Sequence, residues 1–262
     1  MCVYSKDNAL FFQDALTSVY KQTWQPTEVV LVVDGPVPPE IDSVIVRFQK
    51  AHGLRVHRLE HNMGHGEARR CGFSLCQYDY VAIADADDIN DPTRFEKELT
   101  CFIRQPELCA VSSACTHFCD SIDNVLNVEY FPTDDASIKK AMRTSCPICQ
   151  ASAMLKKSAV EQVGGYLDWY YCEDYYLWVR LLLNGATFAN LPESLLYVRT
   201  TQEQMLRRGG WKYYKSLRRL YRFMLKNKVI SVWEYLFNSS SRFVVQILLP
   251  PRARAWLRKK LQ

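Results

Sequence analysis

Long apolar runs are missing from this chain. No stretch approaches the roughly 18 to 20 apolar residues that a membrane-spanning helix needs. The first residues also lack the basic segment, apolar core and small-residue cleavage site of a secretory signal. We therefore expect a protein that is neither secreted nor membrane-spanning. With 262 residues, of which 48% are hydrophobic and 23% charged, the chain is long enough for one large domain or two small ones.

Acidic residues are almost missing from the last part of the sequence. Residues 205–262 contain 15 Lys and Arg but one acid, Glu234, whereas residues 1–204 contain 18 Lys and Arg against 27 Asp and Glu. The two parts therefore carry +14 and −9, which together give the net charge of +5. This asymmetry predicts a first domain at residues 1–200 and a basic, helical tail at residues 201–262.

Closely spaced cysteine pairs are few among the ten cysteines. Cys146 and Cys149 form one such pair, and Cys115 and Cys119 form the other, whereas a structural zinc site needs two close pairs that converge. The spacing favours buried thiols that act as small hydrophobic groups in a reducing cytoplasm. Metal binding by Cys146 and Cys149 is the alternative.

Short apolar runs alternate with helical patterns at the start of the chain. The continuous apolar run at 28–33 is typical of a strand buried on both faces, and it ends at Asp34. Asn8 is a candidate cap for the first helix, and Asp91 for a helix that Pro92 opens. Further helices are predicted after Pro39 and at 66–76, and further strands at 54–59 and 80–84. This order predicts an α/β fold with a parallel sheet covered by helices.

The pattern is less regular in the second half of the chain. Its apolar and turn signals predict a strand at 109–113, a hairpin about Asp123–Asn124, a helix at 135–143, a strand at 150–155, a helix that ends near Asn184, and helices beyond Arg199. We therefore expect the basic region beyond Arg199 to be largely helical.

Four carboxylates are crowded into IADADDINDP, at residues 83–92. Like charges this close raise one another's pKa unless a positive group compensates them. A solvated acidic turn would explain the crowding, but Asp85 follows a predicted strand, as Asp34 does. Because ligands of open α/β sheets bind at the carboxyl ends of strands, both side chains should face one crevice. Mg²⁺ and Mn²⁺ take one or two carboxylates plus substrate phosphates, so the pattern predicts a metal and nucleotide site.

A second acidic pair, Glu173 and Asp174, begins a helical pattern after an aromatic cluster. Acids in the first turn of a helix are favoured by the helix dipole, which is one explanation. The other is general-base catalysis, in which a carboxylate takes the proton from an attacking hydroxyl group. The residues alone leave both explanations open.

Several motifs follow one another in a fixed order and cover most of residues 1–216. They are the segments 3–36, 61–76 (HNMGHGEARRCGFSLC), 81–99 (VAIADADDINDPTRFEKEL), 158–166, 172–199 and 207–216. In this order they resemble bacterial family 2 glycosyltransferases of the GT-A fold, of the type that builds lipopolysaccharide, capsule or exopolysaccharide. The resemblance implies a Rossmann-like, mostly parallel central sheet flanked by helices, followed by the basic helical extension.

The resemblance also assigns roles to residues of the predicted crevice. The metal-binding Asp-x-Asp of the family falls on Asp85 and Asp87, with Asp88 beside them. One of these acids should contact the ribose and another the Mn²⁺ or Mg²⁺ ion, and we assign the metal to Asp87. Asp34 matches the residue that accepts a hydrogen bond from the base of the donor nucleotide, and Tyr4 matches an aromatic residue near that base.

Other matched residues concern the diphosphate of the donor. Asn62 and Gly64 belong to a glycine loop before a helix, whose backbone amides could approach a diphosphate. Arg69 matches the arginine of the family's Ala-Arg-Asn step, although Arg70 stands where the asparagine is expected.

The resemblance assigns the chemical step to the second acidic pair. Asp174 matches the base of an inverting, single-displacement transfer, and Glu173 precedes it. Arg207 and Arg208 resemble the Gln-x-x-Arg-Trp element of related synthases, with the tryptophan displaced, and would neutralise the leaving diphosphate. An ordinary basic helix start is the alternative for these arginines. The nearby aromatic residues that could stack on sugars, unless they belong to the core, are Trp169, Tyr170, Tyr171 and Trp178.

Aromatic and basic residues alternate throughout the tail, from Trp211 to Gln262. This composition suits an anionic membrane surface, where a lipid-linked acceptor would lie. A solvated basic face is an alternative, and nucleic-acid binding is disfavoured because no recognisable module is present. We expect a cytoplasmic protein at the inner face of the membrane.

Together, the motifs predict a metal-dependent, inverting glycosyltransferase of the hexosyltransferase class. It would move a sugar from a nucleotide-diphospho-sugar, most simply a UDP-sugar, to a growing surface glycan or lipid-linked acceptor. The alternatives are a nucleotidyltransferase, which would release pyrophosphate, and a non-catalytic basic adaptor at the membrane surface. Because relatives carry several more residues before the segment that begins at Cys2, the first strand should be short or the chain should start upstream.

Overall fold

The first part of the chain folds into a small parallel sheet with helices between its strands. The computed structural model describes residues 1–200 and 209–250. The first elements are β1 (Cys2–Val3), α1 (Ala9–Tyr20), β2 (Val30–Val33), α2 (Pro39–His52), β3 (Arg55–Arg58) and α3 (His65–Leu75). The strand order is β1–β2–β3, and both pairings are parallel. As predicted, β2 is buried along its whole length, and Asn8 caps α1 by accepting hydrogen bonds from the Leu10 and Phe11 amides.

A larger, mixed sheet follows. Its strands are β4 (Tyr80–Ala82), β5 (Ile89–Asn90), β6 (Leu108–Cys119), β7 (Ser121–Glu129), β8 (Met154–Lys156) and β9 (Thr187–Arg199). The order is β4–β8–β6–β9–β5, and β7 pairs with β6. The β6–β9 pairing is parallel, whereas β8 runs against both of its neighbours, β5 runs against β9, and β7 folds back on β6. The mostly parallel sheet predicted from the sequence is therefore correct for the first sheet and wrong for the second.

The remaining described residues are largely helical. The helices are α4 (Arg94–Arg104), α5 (Asp135–Ala141), α6 (Lys157–Gln162), α7 (Glu173–Leu183), α8 (Gly210–Lys226) and α9 (Val232–Phe243). A 3₁₀ turn precedes β8 at Gln150–Ser152, and a π-helical turn continues α9 at Val244–Leu248. Within the described ranges, no helix combines the length and the apolar character needed to cross a membrane.

Several predicted boundaries differ from the structure. The Asp91 carboxylate accepts hydrogen bonds from the Thr93 amide (2.9 Å) and hydroxyl (2.6 Å), so Asp91 closes a turn and α4 begins only after it. The hairpin turns at Asp120, whose φ is +60°, rather than at Asp123–Asn124. The strand predicted at 150–155 is split, because its first half forms the 3₁₀ turn before β8.

Buried polar side chains of α1 and the residues just after it join the two sheets. The Ser18 hydroxyl accepts hydrogen bonds from the backbone amide (3.0 Å) and side-chain amide (2.9 Å) of Asn90. The Gln22 side chain donates to the Asp91 carbonyl (2.7 Å) and accepts from the Phe95 amide (2.9 Å). Because buried polar groups cost free energy unless they are paired, these bonds fix the stretch after β4 against α1.

The main hydrophobic core crosses residue 200, where the charge asymmetry predicted a domain boundary. Leu220 and Tyr221 of α8 are fully buried in the same cluster as Tyr175 and Trp178 of α7. The Arg143 guanidinium then binds both carboxylate oxygens of Glu234 in α9, at 2.8 and 2.6 Å. The described part of the basic region is therefore packed onto the α/β part of the molecule.

A tight backbone contact closes the end of β2. Gly35 has φ of +83°, and a Cβ atom there would lie 2.6 Å from the Asn62 backbone nitrogen. A side chain at this position would therefore push apart the two loops that follow β2 and β3.

Gly35→Ala should destabilise the fold by about 2 to 4 kcal/mol, because the cost of a left-handed alanine adds to a backbone clash. Gly53→Ala is the matched control, since Gly53 has φ of +68° and a Cβ atom added there would meet no other atom within 4 Å. It should cost only about 1 kcal/mol. Urea denaturation measures both, and equal losses would contradict the clash.

Candidate active site

The acidic stretch after β4 presents two different sides. Asp85 and Asp87 are half-buried, whereas the alternating neighbours Ala84, Ala86 and Asp88 are buried. Asp85 and Asp87 therefore share the accessible side, and Asp88 turns into the protein.

Arg69 of α3 links Asp85 to the start of α7. Its guanidinium is 8% exposed, and it lies 2.7 Å from an Asp85 carboxylate oxygen and 4.0 Å from a Glu173 carboxylate oxygen. Burial alone would raise the pKa of Asp85, but the charge and hydrogen bond of Arg69, with His65, hold it below its ordinary value. The two acidic motifs that lie far apart in the sequence thus meet at one buried cation.

Glu173 has a second neighbour at the start of α3. The His65 ring nitrogen lies 3.4 Å from its carboxylate. Burial opposes ionisation of Glu173, yet the hydrogen bond from His65 and the charge of Arg69 lower its pKa. Asp174, the next residue, is half-buried and accepts a hydrogen bond from the Tyr175 amide at 2.6 Å. The predicted base therefore stands beside a fixed, ionised neighbour.

Arg199, the last residue of β9, holds the other side of the acidic stretch. Its amide donates to the Asp88 carboxylate (2.9 Å) and its guanidinium donates to the Asp87 carbonyl (3.2 Å). The guanidinium also stacks on the rings of Phe11 (3.9 Å) and Phe118 (4.7 Å). Burial and the neighbouring Asp87 and Asp85 raise the pKa of Asp88 well above its ordinary value.

Asp34 is buried at the carboxyl end of β2 and binds the glycine loop. Its two carboxylate oxygens accept hydrogen bonds from the amides of Met63 (2.6 Å) and Gly64 (3.1 Å). The Asn62 side chain donates to the Asp34 carbonyl at 3.2 Å. Gly64, with φ of +89°, precedes the first residue of α3. Asp34 thereby sets the position of the loop predicted to approach a diphosphate.

Asp7 and Tyr4 form a turn directly after β1. The Tyr4 amide donates to the Asp7 carboxylate (2.9 Å), and the Asp7 amide donates to the Tyr4 carbonyl (3.1 Å). Burial, together with the charges of Asp87 and Asp85, raises the pKa of Asp7 from 3.8 to about 6, although the Tyr4 bond opposes the shift. This turn brings another carboxylate to the same crevice.

A match to a family profile identifies the family of this chain. The profile described as "Glycosyl transferase family 2" matches residues 1–164, which is more than half of the chain. The protein belongs to glycosyl transferase family 2. This membership confirms the family resemblance identified from the motifs.

Two bacterial relatives are similar over most of their length. The UDP-Gal:alpha-D-GlcNAc-diphosphoundecaprenol beta-1,3-galactosyltransferase of Escherichia coli is 35% identical over 271 residues, which cover 100% of this chain and 94% of that protein. The amylovoran biosynthesis glycosyltransferase AmsE of Erwinia amylovora is 33% identical over 226 residues, covering 86% of this chain and 84% of that protein.

A solved structure shows the same fold at low sequence identity. The mannosyltransferase PcManGT of Pyrobaculum calidifontis, in complex with GDP-Man and Mn²⁺, superposes with a TM-score of 0.66. It is 14% identical, and the match covers 99% of this chain and 74% of that one. The predicted GT-A fold is confirmed as an α/β fold of this kind, while its second sheet is mixed.

The carboxylates of the glycosyltransferase fit a hard divalent cation only in part. Among residues 1–200 and 209–250, no group of three or more His, Cys, Asp and Glu side chains is placed to hold a metal ion. Asp85 and Asp87 together supply the one or two carboxylates that Mg²⁺ or Mn²⁺ takes when substrate phosphates complete its shell. The buried Asp88 instead binds the Arg199 amide, so its predicted metal role has no support in this geometry.

No disulfide joins any of the ten cysteines of the glycosyltransferase, all of which lie in residues that the structure describes. Cys115 and Cys172 are buried, and the other eight are half-buried rather than fully buried as predicted. Burial raises the pKa of the Cys146 thiol well above its ordinary value. In the described part of the chain, the cysteines join no group of three or more side chains placed to hold a metal ion.

Three residues of the crevice escaped the sequence analysis, namely Asp7, His65 and Arg199. Asp7 follows β1 closely, so the rule that selected Asp34 at a strand end would have found it. His65 is the first residue of α3, and its role is recognisable only once α7 is placed beside it. Arg207 and Arg208 lie outside the described residues, and their role stays a prediction.

Asp7→Asn should make stability less dependent on pH. Because folding raises the pKa of Asp7, the wild type should lose stability as the pH rises from 3.8 towards 6, where the buried carboxyl must ionise. The variant should lose about 1 to 2 kcal/mol less over this interval, since one pKa unit corresponds to about 1.4 kcal/mol and Asp7 keeps some solvent access. Urea unfolding at several pH values measures the difference, and parallel curves would refute it.

Proposed function

We propose that this glycosyltransferase moves a hexosyl group from a UDP-sugar to a hydroxyl group of a lipid-diphosphate-linked saccharide, with inversion at the anomeric carbon. The observation that carries the proposal is the buried Arg69 between Asp85 and Glu173, because it sets the predicted donor site beside the predicted base. The Escherichia coli relative is named for UDP-Gal and α-D-GlcNAc-diphosphoundecaprenol, which are therefore the first substrates to test.

The donor lies at the carboxyl ends of β2 and β4 in this proposal. Tyr4 and Asp34 receive the base, and the amides of the loop that Asn62 and Gly64 form receive the diphosphate. An ionised carboxylate offers about four acceptor positions. Asp34 can therefore keep its bonds to Met63 and Gly64 while accepting another from the base. Asp85, oriented by Arg69, receives the ribose.

The acceptor approaches from the α7 side. Asp174 takes the proton from the acceptor hydroxyl as that oxygen attacks the anomeric carbon, and the bond between this carbon and the UDP oxygen breaks. Glu173 supports the base indirectly, because its contacts with Arg69 and His65 fix the first turn of α7. A bound Mn²⁺ or Mg²⁺, held by Asp87 with Asp85, would neutralise the leaving diphosphate. Arg207 and Arg208 are predicted to neutralise the same leaving diphosphate.

Asp87→Ala and Asp174→Asn should separate donor binding from transfer. Asp87→Ala should abolish the Mn²⁺-dependent part of UDP binding in calorimetry, because a metal carboxylate is lost. Asp174→Asn should bind UDP normally and lose about 10²- to 10⁴-fold in transfer, the range typical of a missing general base.

Product analysis and a control variant complete this test. Asp123→Asn changes an exposed acid of β7 and should leave both properties unchanged. Release of UDP supports transfer, whereas pyrophosphate as the product would indicate a nucleotidyltransferase. The absence of any nucleotide-sugar binding would favour the non-catalytic adaptor, and normal turnover by Asp174→Asn would remove the base assignment.

We further propose that the basic region rests on the inner face of the cytoplasmic membrane. Trp233 is 81% and Phe237 69% exposed on one side of α9, and Leu248, beyond the end of α9, is 61% exposed. Apolar side chains exposed in this way are unusual unless a surface covers them. The surrounding sequence carries the excess of Lys and Arg counted above, which suits anionic lipid. The predicted division at residue 200 then separates two functions, sugar transfer and membrane contact. It does not separate two hydrophobic cores, because the main core includes residues from both sides of it.

Replacing Trp233 and Phe237 by serine should weaken binding to vesicles of phosphatidylglycerol and phosphatidylethanolamine about tenfold or more, because two large apolar groups no longer enter the lipid. Trp24→Ser, an exposed tryptophan (53%) outside the tail, is the control. Co-sedimentation measures the affinity. Equal binding by the serine variant would show that this face does not meet the membrane.

A further inference from the structure

Two exposed tyrosines lie directly before the predicted base. Tyr170 is 39% and Tyr171 46% exposed, and their ring centroids are 4.6 Å apart at 85°. Trp169 and Trp178, which the sequence grouped with them, are only 5% and 0% exposed. The aromatic cluster therefore divides into a core pair and an accessible pair, and the accessible pair is three and four residues from Asp174.

The backbone of Tyr171 is strained. Its φ of +53° is left-handed, a conformation that bulky residues adopt rarely and at a cost. Glycine would adopt it without strain. Strained residues of this kind cluster at functional sites, where the position of the side chain matters more than stability. The tyrosine ring is thus held where relaxed packing would not place it.

Helix α8 holds the segment at residues 169–171 in place. The Ser216 hydroxyl donates to the Tyr170 carbonyl (2.6 Å), and the Trp169 indole nitrogen donates to the Ser216 carbonyl (3.2 Å). The Lys212 ammonium lies 3.9 Å from the centroid of the Tyr170 ring, and Tyr213 meets Tyr171 edge-on at 6.2 Å. The result is an aromatic surface held in place by α8, with the Lys212 ammonium over one face of the Tyr170 ring.

We propose that Tyr170, Tyr171 and Lys212 form the subsite for the acceptor sugar, an inference that rests on the proposed function. Tyrosine rings offer a flat apolar face to the C–H groups of a pyranose and hydroxyl groups to its oxygens. The Lys212 ammonium is a point charge that suits a phosphate attached to that sugar. The subsite therefore fits a glycosyl phosphate or diphosphate, and it delivers the sugar hydroxyl towards Asp174 without taking part in the chemical step.

Tyr171→Gly separates this role from a structural one. The glycine removes the ring and relieves the left-handed strain, so the urea midpoint should stay unchanged or rise. The affinity for α-D-GlcNAc-diphosphoundecaprenol in detergent micelles should fall about tenfold. Its KM in transfer from UDP-Gal should rise by about the same factor. The affinity for UDP with Mn²⁺ should not change. Tyr171→Phe, which keeps the ring, should retain most of the acceptor affinity.

One control variant and one further variant sharpen the result. Tyr78→Ala removes a tyrosine of similar exposure (49%) just before β4 and should leave every value unchanged. Lys212→Met should weaken binding of the diphosphate glycolipid and leave binding of methyl α-D-GlcNAc unchanged.

The outcomes also distinguish the subsite from the proposed function. Unchanged acceptor binding and KM in Tyr171→Gly would overturn the subsite while leaving the function intact. The same conclusion would follow if the wild type transferred galactose and the tyrosine variants transferred it equally well. Absence of glycolipid binding by the wild type would overturn the subsite for this acceptor class. Wild-type enzyme that binds the glycolipid through Tyr171 but releases no UDP would support the subsite and contradict the transfer.

Discussion

The buried guanidinium of Arg69 is the positive charge on which the crevice depends. It compensates Asp85 after the end of β4 and faces Glu173 at the start of α7, two residues that repel each other and are separated by most of the second sheet in the sequence. Without it, two carboxylates would be buried with too little compensation, a situation that typically costs roughly 3 to 5 kcal/mol. The fold and the site therefore depend on the same group. The Arg69 charge orients Asp85 and Glu173, and it also allows the stretch after β4 and the start of α7 to pack close together.

A second arginine acts on the opposite side of the same stretch. Arg199 binds the carboxylate of Asp88 and the carbonyl of Asp87, and two phenylalanine rings cover its guanidinium. The Arg69 charge therefore compensates Asp85 on the open side, whereas Asp88 on the buried side accepts the backbone amide of Arg199 and has a pKa well above its ordinary value. This division explains how neighbouring acids coexist in a folded protein, since Asp85 ionises beside a cation while burial and the nearby carboxylates favour the protonated form of Asp88.

Local signals were sufficient for the first half of the fold. Asn8, the apolar run that ends at Asp34, and the glycine loop before α3 each determine structure through nearby residues. The second sheet was not predictable in this way. β9 contains Pro192 and Glu193 and lacks a strict alternation, so it is a strand only because β6 pairs with it through a shifted register. Arg199 was missed for the same reason, because its role depends on where β9 ends.

The shared core of α7 and α8 has a mechanical consequence. The first turn of α7, which carries the proposed base Asp174, belongs to one packed unit with the buried side chains of α8, and Ser216 ties the preceding loop to that unit. Whatever surface supports the basic helices, the height of Asp174 above that surface is set by helix packing and not by the length of a tether. The enzyme would then work at a fixed distance from its support, so that acceptors could be selected by how far their reactive hydroxyl group stands from the lipid.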